Sequence, residues 1–166
     1  MTIADNGNAA TGGGILIQPV GAMGSARVSI LNTRVRNNAN VGIRVDTTGN
    51  SSGTGTYVSI NNSQFSGSPS GISAVMPSGA PGVQVLVNNS IVELNPTVGI
   101  TASGTGTAVI RVANSIITGN GTGVLSTGGG AVRSYGTNML DGNAVPGSFT
   151  GTSVWRVTRG LTMRSR

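Results

Sequence analysis

The sequence predicts an all-β solenoid: one chain wound into about five coils of short parallel strands, and three observations predict it. A Gly followed by Ile or Val returns at Gly14-Ile15, Gly42-Ile43, Gly71-Ile72, Gly99-Ile100 and Gly123-Val124. An alternating apolar pair returns at Val28/Ile30, Val58/Ile60, Val85/Val87 and Ile110/Val112, with a weaker Val132/Ser134. Each pair is followed by a member of one column: Asn32, Asn62, Asn89, Asn114 and Gly136. Internal repetition on this scale marks a stacked architecture, and short period-two alternation marks strands. Spacing between successive pairs falls from 30 to 27, 25 and 22 residues, so each unit holds two or three short strands separated by turns.

The elements follow in chain order. Aligning "TIADNGNAATGGGI" with "SIITGNGTGV" sets Ile3 on Ile117, so the chain starts in the middle of a coil. No capping helix precedes Ile3, and open strand edges invite association. Two chains are therefore expected to pair through this first coil as a homo-oligomer. Within each coil the Asn/Gly column is expected to form a sharp bend, because Asn and Gly most readily adopt the left-handed backbone. Asn amides in successive coils are expected to bond to one another as a ladder. The next column, Thr33, Ser63, Ser90, Ser115 and Thr137, is hydroxylated throughout and suggests a second ladder. Three residues past the bend stand Val35, Phe65, Val92, Ile117 and Met139, expected to point inward.

Gly/Ser/Thr-rich inserts follow the Gly-Ile strands: "QPVGAMGSA", "DTTGNSSGTGT", "VMPSGAPG", "SGTGT" and "STGGGA". After the first they shorten overall toward the C-terminus, the last being one residue longer than the fourth, and form a ridge along one side. Loops on a rigid scaffold often carry function, and a shallow polysaccharide-binding surface is expected on ridge and neighbouring face, with Tyr57 and Phe65 nearby and Phe65 buried. The repeat spans 1–145. Residues 146–166 form a tail whose segment from 151 departs from the pattern, with Trp155 expected to cap the end of the core or make a subunit contact.

Composition agrees with one domain. The 166 residues are 37% hydrophobic, enough for a core, while 28 Gly, few aromatics and abundant Asn, Ser and Thr argue against helices. Four of the ten Arg (156, 159, 164 and 166) lie in the last eleven residues, so the net charge of +6 belongs chiefly to the tail. Nucleic-acid binding is accordingly not expected. No apolar run is long enough to span a membrane, no signal peptide stands at the start, and the compartment stays open.

The pattern V-x-[IV]-x-N-S-x-[FVI]…G-I with its internal Asn column resembles the right-handed parallel β-helix repeats of the pectate-lyase-like superfamily, over roughly residues 12–145. The stretch "VRSYGTNMLDGN" (132–143) is similar to the last coil of many bacterial repeat proteins of unassigned function. The resemblance implies a right-handed coil of three short parallel strands. It implies no single activity, since this scaffold carries lyases, hydrolases, tailspikes and non-enzymatic surface proteins.

Chemistry is sparse. Without Cys there are no disulfides or thiolate metal sites, and without His the Ser-His-Asp and Cys-His triads are excluded. Lyases of the superfamily use Arg or Lys beside calcium-binding carboxylates, and its hydrolases use paired acids. Here Asp5 and Asp141 align to one column at opposite ends of the stack, Glu93 aligns with Arg36, Ser66 and Thr118, and Asp46 aligns with Gln18 and Val75. Adjacent coils never pair two carboxylates. No catalytic residue, metal ligand set or cofactor is expected. The expected function is a non-catalytic structural or interaction module, self-associating and polysaccharide-binding; the alternative is a pectate-lyase-like enzyme acting on polysaccharide.

Overall fold

The computed structural model describes residues 1–8 and 13–153, and these contain strands and turns with no helix. Trp155 and the four arginines of the tail lie outside the described residues. Three six-stranded sheets, parallel in every pairing, form the sides of a solenoid of about five turns. The first sheet holds the short strands β1 (Thr2–Ala4), β4 (Arg34–Arg36), β7 (Gln64–Ser66), β10 (Ile91–Glu93), β13 (Ile116–Thr118) and β16 (Met139–Leu140). The Gly-Ile strands make the second: β2 (Gly13–Ile17), β5 (Val41–Asp46), β8 (Ser70–Met76), β11 (Val98–Gly104), β14 (Thr122–Thr127) and β17 (Val145–Gly147). The alternating pairs make the third: β3 (Ala26–Leu31), β6 (Thr56–Asn61), β9 (Val83–Asn88), β12 (Ala108–Ala113), β15 (Ala131–Ser134) and β18 (Gly151–Thr152). Strands β17 and β18 carry the winding across the expected boundary at 145/146.

The core is a set of aliphatic stacks. Val28, Val58, Val85, Ile110 and Val132 stand in one register, as do Ile15, Ile43, Ile72, Ile100 and Val124. Because a one-residue slip would turn every one of these side chains outward, burial of one face fixes the register.

Asn32, Asn62, Asn89 and Asn114 have φ between 46° and 51°, and Gly136 has φ 84°. A second corner, not anticipated from sequence, follows the short strands: Asp5, Asn37, Gly67, Leu94, Gly119 and Gly142 all have φ between 52° and 67°. Leu94 is the residue there without a glycine's freedom or a short polar side chain.

The last coil requires a correction. Val112 pairs with Ser134, yet Ile116 pairs with Met139, so this corner holds one more residue than the others. Leu140, not Met139, therefore continues the inward column of Val35, Phe65, Val92 and Ile117, and Met139 is 58% exposed. The hydroxyl column shifts likewise. Backbone N–H groups of Thr33, Ser63 and Ser90 donate to the hydroxyls of Ser63, Ser90 and Ser115 at 3.1–3.2 Å, but Ser115 N–H donates to Asn138 Oδ1 at 3.0 Å. Thr137 instead accepts from the N–H of Asn114.

The amide ladders also differ from expectation. At the bend, Asn89 Nδ2 donates to Asn62 Oδ1 at 2.6 Å, but Asn114 Nδ2 turns to Asn88 Oδ1, and Asn88 in turn donates to Asn61. This row is exposed or half-buried. The buried ladder lies after the second corner, in a column of Asn38, Ser68, Asn95, Asn120 and Asn143. Asn95 Nδ2 donates to Asn120 Oδ1 at 2.9 Å, and Asn120 Nδ2 to Asn143 Oδ1 at 2.8 Å, while both amides also satisfy backbone carbonyls of the core. The glycine of each Gly-Ile pair makes room for it. A Cβ on Gly71 would lie 2.6 Å from the carbonyl oxygen of Gly99 and 2.9 Å from Asn95 Nδ2, and Gly14, Gly42, Gly99 and Gly123 are held against the next coil in the same way.

Candidate functional site

On the third sheet the residues between the inward ones face out, and two of their registers flank a groove. Arg27, Tyr57, Gln84 and Val109 form one column; Ser29, Ser59, Leu86, Arg111 and Arg133 form the next. Between them a groove of about 460 Å³ crosses β3, β6, β9 and β12. Its floor is the backbone of Val28, Val58 and Val85, whose side chains turn into the core. Three strand spacings give it a length of about 14 Å.

Its walls are chemically specific. The Arg27 guanidinium sits 5.0 Å from the centroid of the Tyr57 ring, a cation–π contact that sets both side chains on the rim. Tyr57 remains 40% exposed. At the far end Arg111 Nη1 on β12 donates to Gln84 Oε1 on the adjacent strand β9 at 3.1 Å and closes the groove. Ser59 Oγ accepts from Asn61 Nδ2 at 2.9 Å, which leaves its O–H as a donor.

The loop ridge borders this groove, because the connections of eight, nine and six residues after β2, β5 and β8 lead directly into β3, β6 and β9. The first two connections are knitted together: Asn50 Nδ2 donates to the carbonyl of Gly24 at 2.9 Å, and the Ser52 hydroxyl donates to the same oxygen. Asn50 Oδ1 accepts from Ser52 N–H, closing a local turn.

A second, larger hollow of about 640 Å³ follows the bend between the third and first sheets, along Asn32, Asn62, Asn89, Arg34, Gln64 and Ile91. Part of its polar lining is already paired. Asn89 pairs with Asn62, and Gln64 Nε2 donates to Glu93 Oε1 at 2.6 Å.

The carboxylates do not converge. Asp46 is buried, accepts from Arg44 at 2.7 and 2.9 Å and caps the turn by accepting from Thr48 N–H at 2.8 Å. Burial alone would raise its pKa; the hydrogen bonds from Thr48 and Arg44, with the Arg44 charge, outweigh it and hold the carboxyl below its ordinary value. Asp141 moves with Leu140 by the one-residue shift and so stands in the column of Glu93, two coils away; Asp5 stands in the neighbouring column, not in that of Asp141. Among the described residues, no three of His, Cys, Asp and Glu come together as a metal site.

Phe65 is fully buried and Tyr57 lines the groove, while Arg27, Arg111, Gln84 and Leu86 were not singled out from sequence. The signal available was their place in the alternating strands, one residue before or after an inward Val or Ile. Compared with known proteins, the chain matches no family model, no curated protein and no solved structure.

Proposed function

We propose that this chain is a non-catalytic β-solenoid module of the pectate-lyase-like kind that binds polysaccharide along the outer face of its third sheet. The observation carrying this reading is the Tyr57 ring, held under Arg27 in the wall of an open groove that crosses four strands. Sugar recognition uses an apolar ring face with polar groups fixed around it, and Ser29, Ser59 and Gln84 supply such groups on either side. An open-sided groove accommodates an internal stretch of a long chain, whereas an enclosed pocket would select chain ends.

The test is depletion of the protein by a panel of insoluble and immobilised polysaccharides, with the supernatants checked by mass spectrometry. Depletion that is lost in Tyr57→Ala, with no released oligosaccharide, supports the module. Released oligosaccharide would return the enzymatic alternative, and no depletion on any polymer would remove glycan binding.

Self-association is a second reading. Leu16, Val20, Met23 and Leu31 are each more than half exposed on the first described coil, and apolar surface beside strand edges favours a second copy. Sedimentation equilibrium should give a concentration-dependent mass that Leu16→Ser with Leu31→Ser returns to 16.4 kDa. A monomer at all concentrations would end it.

A further inference from the structure

We infer that Asn6 is a site of spontaneous deamidation in the folded protein, and that its conversion removes the first rung of the buried asparagine ladder. The sequence holds two Asn-Gly pairs, Asn6-Gly7 and Asn120-Gly121, and both asparagines stand in the ladder column. Glycine makes the preceding asparagine labile, because without a Cβ its backbone nitrogen can swing onto the side-chain amide. The glycine nitrogen attacks Cγ and gives up its proton, the Cγ–Nδ2 bond breaks, ammonia leaves and a cyclic succinimide remains. Water then opens one of the two ring carbonyls and yields aspartate or isoaspartate. Water is the one co-reactant, and no electrons are exchanged.

The two pairs share their chemistry and differ in setting. Asn120 is 2% exposed, and its amide is engaged on both sides by Asn95, Val92, Thr118 and Asn143. Gly121 N–H donates to Asn95 O at 3.0 Å, which points the attacking nitrogen away from Cγ. Reaction there requires the coil to open. Asn6 and Gly7 are both exposed. The Asn6 side chain is held by one bond, from Nδ2 to Asn38 Oδ1 at 3.0 Å, and Asn6 N–H donates to the same oxygen at 3.1 Å. Gly7 N–H has no partner among the described residues. Breaking one rung therefore frees the amide for attack.

Conversion exchanges the Nδ2 donor for a carboxylate oxygen, which sets acceptor against acceptor at Asn38 Oδ1. A flip of the Asn38 amide would pair its Nδ2 with the carboxylate but turn that nitrogen toward Asn6 N–H, so one of the two bonds is lost either way. Isoaspartate adds a main-chain carbon next to the corner at Asp5 as well. Either product loosens β1 against β4.

Asn120 serves as the internal control. The protein would be aged at mildly alkaline pH, in buffer and in urea, with peptide mapping by mass spectrometry to follow both asparagines. In buffer, conversion at Asn6 should run at least about tenfold faster than at Asn120, and in urea the two rates should converge, since folding is what separates them. Asn6→Asp, its fold checked by circular dichroism, should reproduce the lost rung: faster amide hydrogen exchange than the parent in β1 and β4, with β10 and β13 unchanged. Equal rates in buffer, or a slower Asn6, would overturn the site. Rates that stayed apart in urea would place the cause in the flanking sequence and overturn the argument from the fold. Conversion at Asn6 with parental exchange in Asn6→Asp would overturn the loss of the rung.

Discussion

Against Gly42 the Phe65 ring stands alone where Gly14 and Gly71 each meet both a valine of the same column and an asparagine amide. Phe65 Cδ1 comes within 3.2 Å of where a Gly42 Cβ would stand; at Gly14 and Gly71 the neighbours are Cγ1 of Val35 or Val92 at 2.6–2.8 Å together with Nδ2 of Asn38 or Asn95 at 2.9–3.0 Å, and at Gly99 Nδ2 of Asn120 at 2.9 Å. That coil carries Ser68 where its neighbours carry Asn, and Phe where they carry Val or Ile, so a larger ring offsets a smaller polar group. Ser68 still accepts from Asn38 N–H at 3.1 Å, but the side-chain ladder is interrupted there, and Asn38 Nδ2 and Asn95 Oδ1 on either side of it are buried without a partner.

The pair should be energetically coupled. Ser68→Asn alone crowds the ring and should cost about 1–3 kcal/mol; Phe65→Val alone opens a cavity at about 2–3 kcal/mol. The double variant restores the arrangement of the other coils, and urea denaturation should give a coupling energy of about 1–3 kcal/mol. Additive losses would disprove the compensation.

Asn120 is the most connected member of the buried ladder. It accepts from the N–H and Nδ2 of Asn95 and donates to Val92 O, Thr118 O and Asn143 Oδ1. Asn120→Ala leaves several buried groups unpaired and should lower stability by about 3 kcal/mol in urea melts.

The glycine of the Gly-Ile pair is required by the coil above it. Gly71→Ala sets a methyl 2.6 Å from a backbone oxygen and should cost about 2–3 kcal/mol in thermal or urea melts. Gly53→Ala, whose Cβ meets nothing within 4 Å, should change stability by less than about 0.5 kcal/mol.

Leu94 holds φ 55° with its side chain 63% exposed, at a corner where other coils use Asn, Asp or Gly. Replacing it with Asn relieves the left-handed strain and should stabilise by about 1 kcal/mol, read as a raised Tm. A lowered Tm would mean that the contact of Leu94 with the Gly119 backbone outweighs the strain.

The Asp46 carboxyl titrates below its ordinary value of 3.8, so it binds protons less readily folded than unfolded. Its contribution is present above the unfolded pKa and lost as pH falls through the folded one. Asp46→Asn should therefore be less stable than the parent at pH 7, and the gap should narrow once the pH drops below about 3.9, as urea melts across a pH series would show.

What the sequence determined by itself was local or strictly repeated: the strands, the inward stacks such as Ile43–Ile72–Ile100, the coil number and the bend at Asn32, Asn62, Asn89 and Asn114. Period-two alternation and left-handed preference act over a few residues, and stacking makes each coil report the same answer. The buried ladder was readable but missed, because Asn38, Asn95 and Asn120 lie three or four residues before the glycine. Their constant offset is from the apolar column, three residues after Val35, Val92 and Ile117. The last coil misled because Gly136, Thr137 and Met139 have acceptable residue types in the wrong register. Only the tertiary structure decided the groove. Arg27 and Arg111 are 84 residues apart in the chain, and they bound one surface because four strands align at successive coil spacings. A local pattern specifies which side of a strand faces out; which outward side chains become neighbours depends on the register of every coil between them.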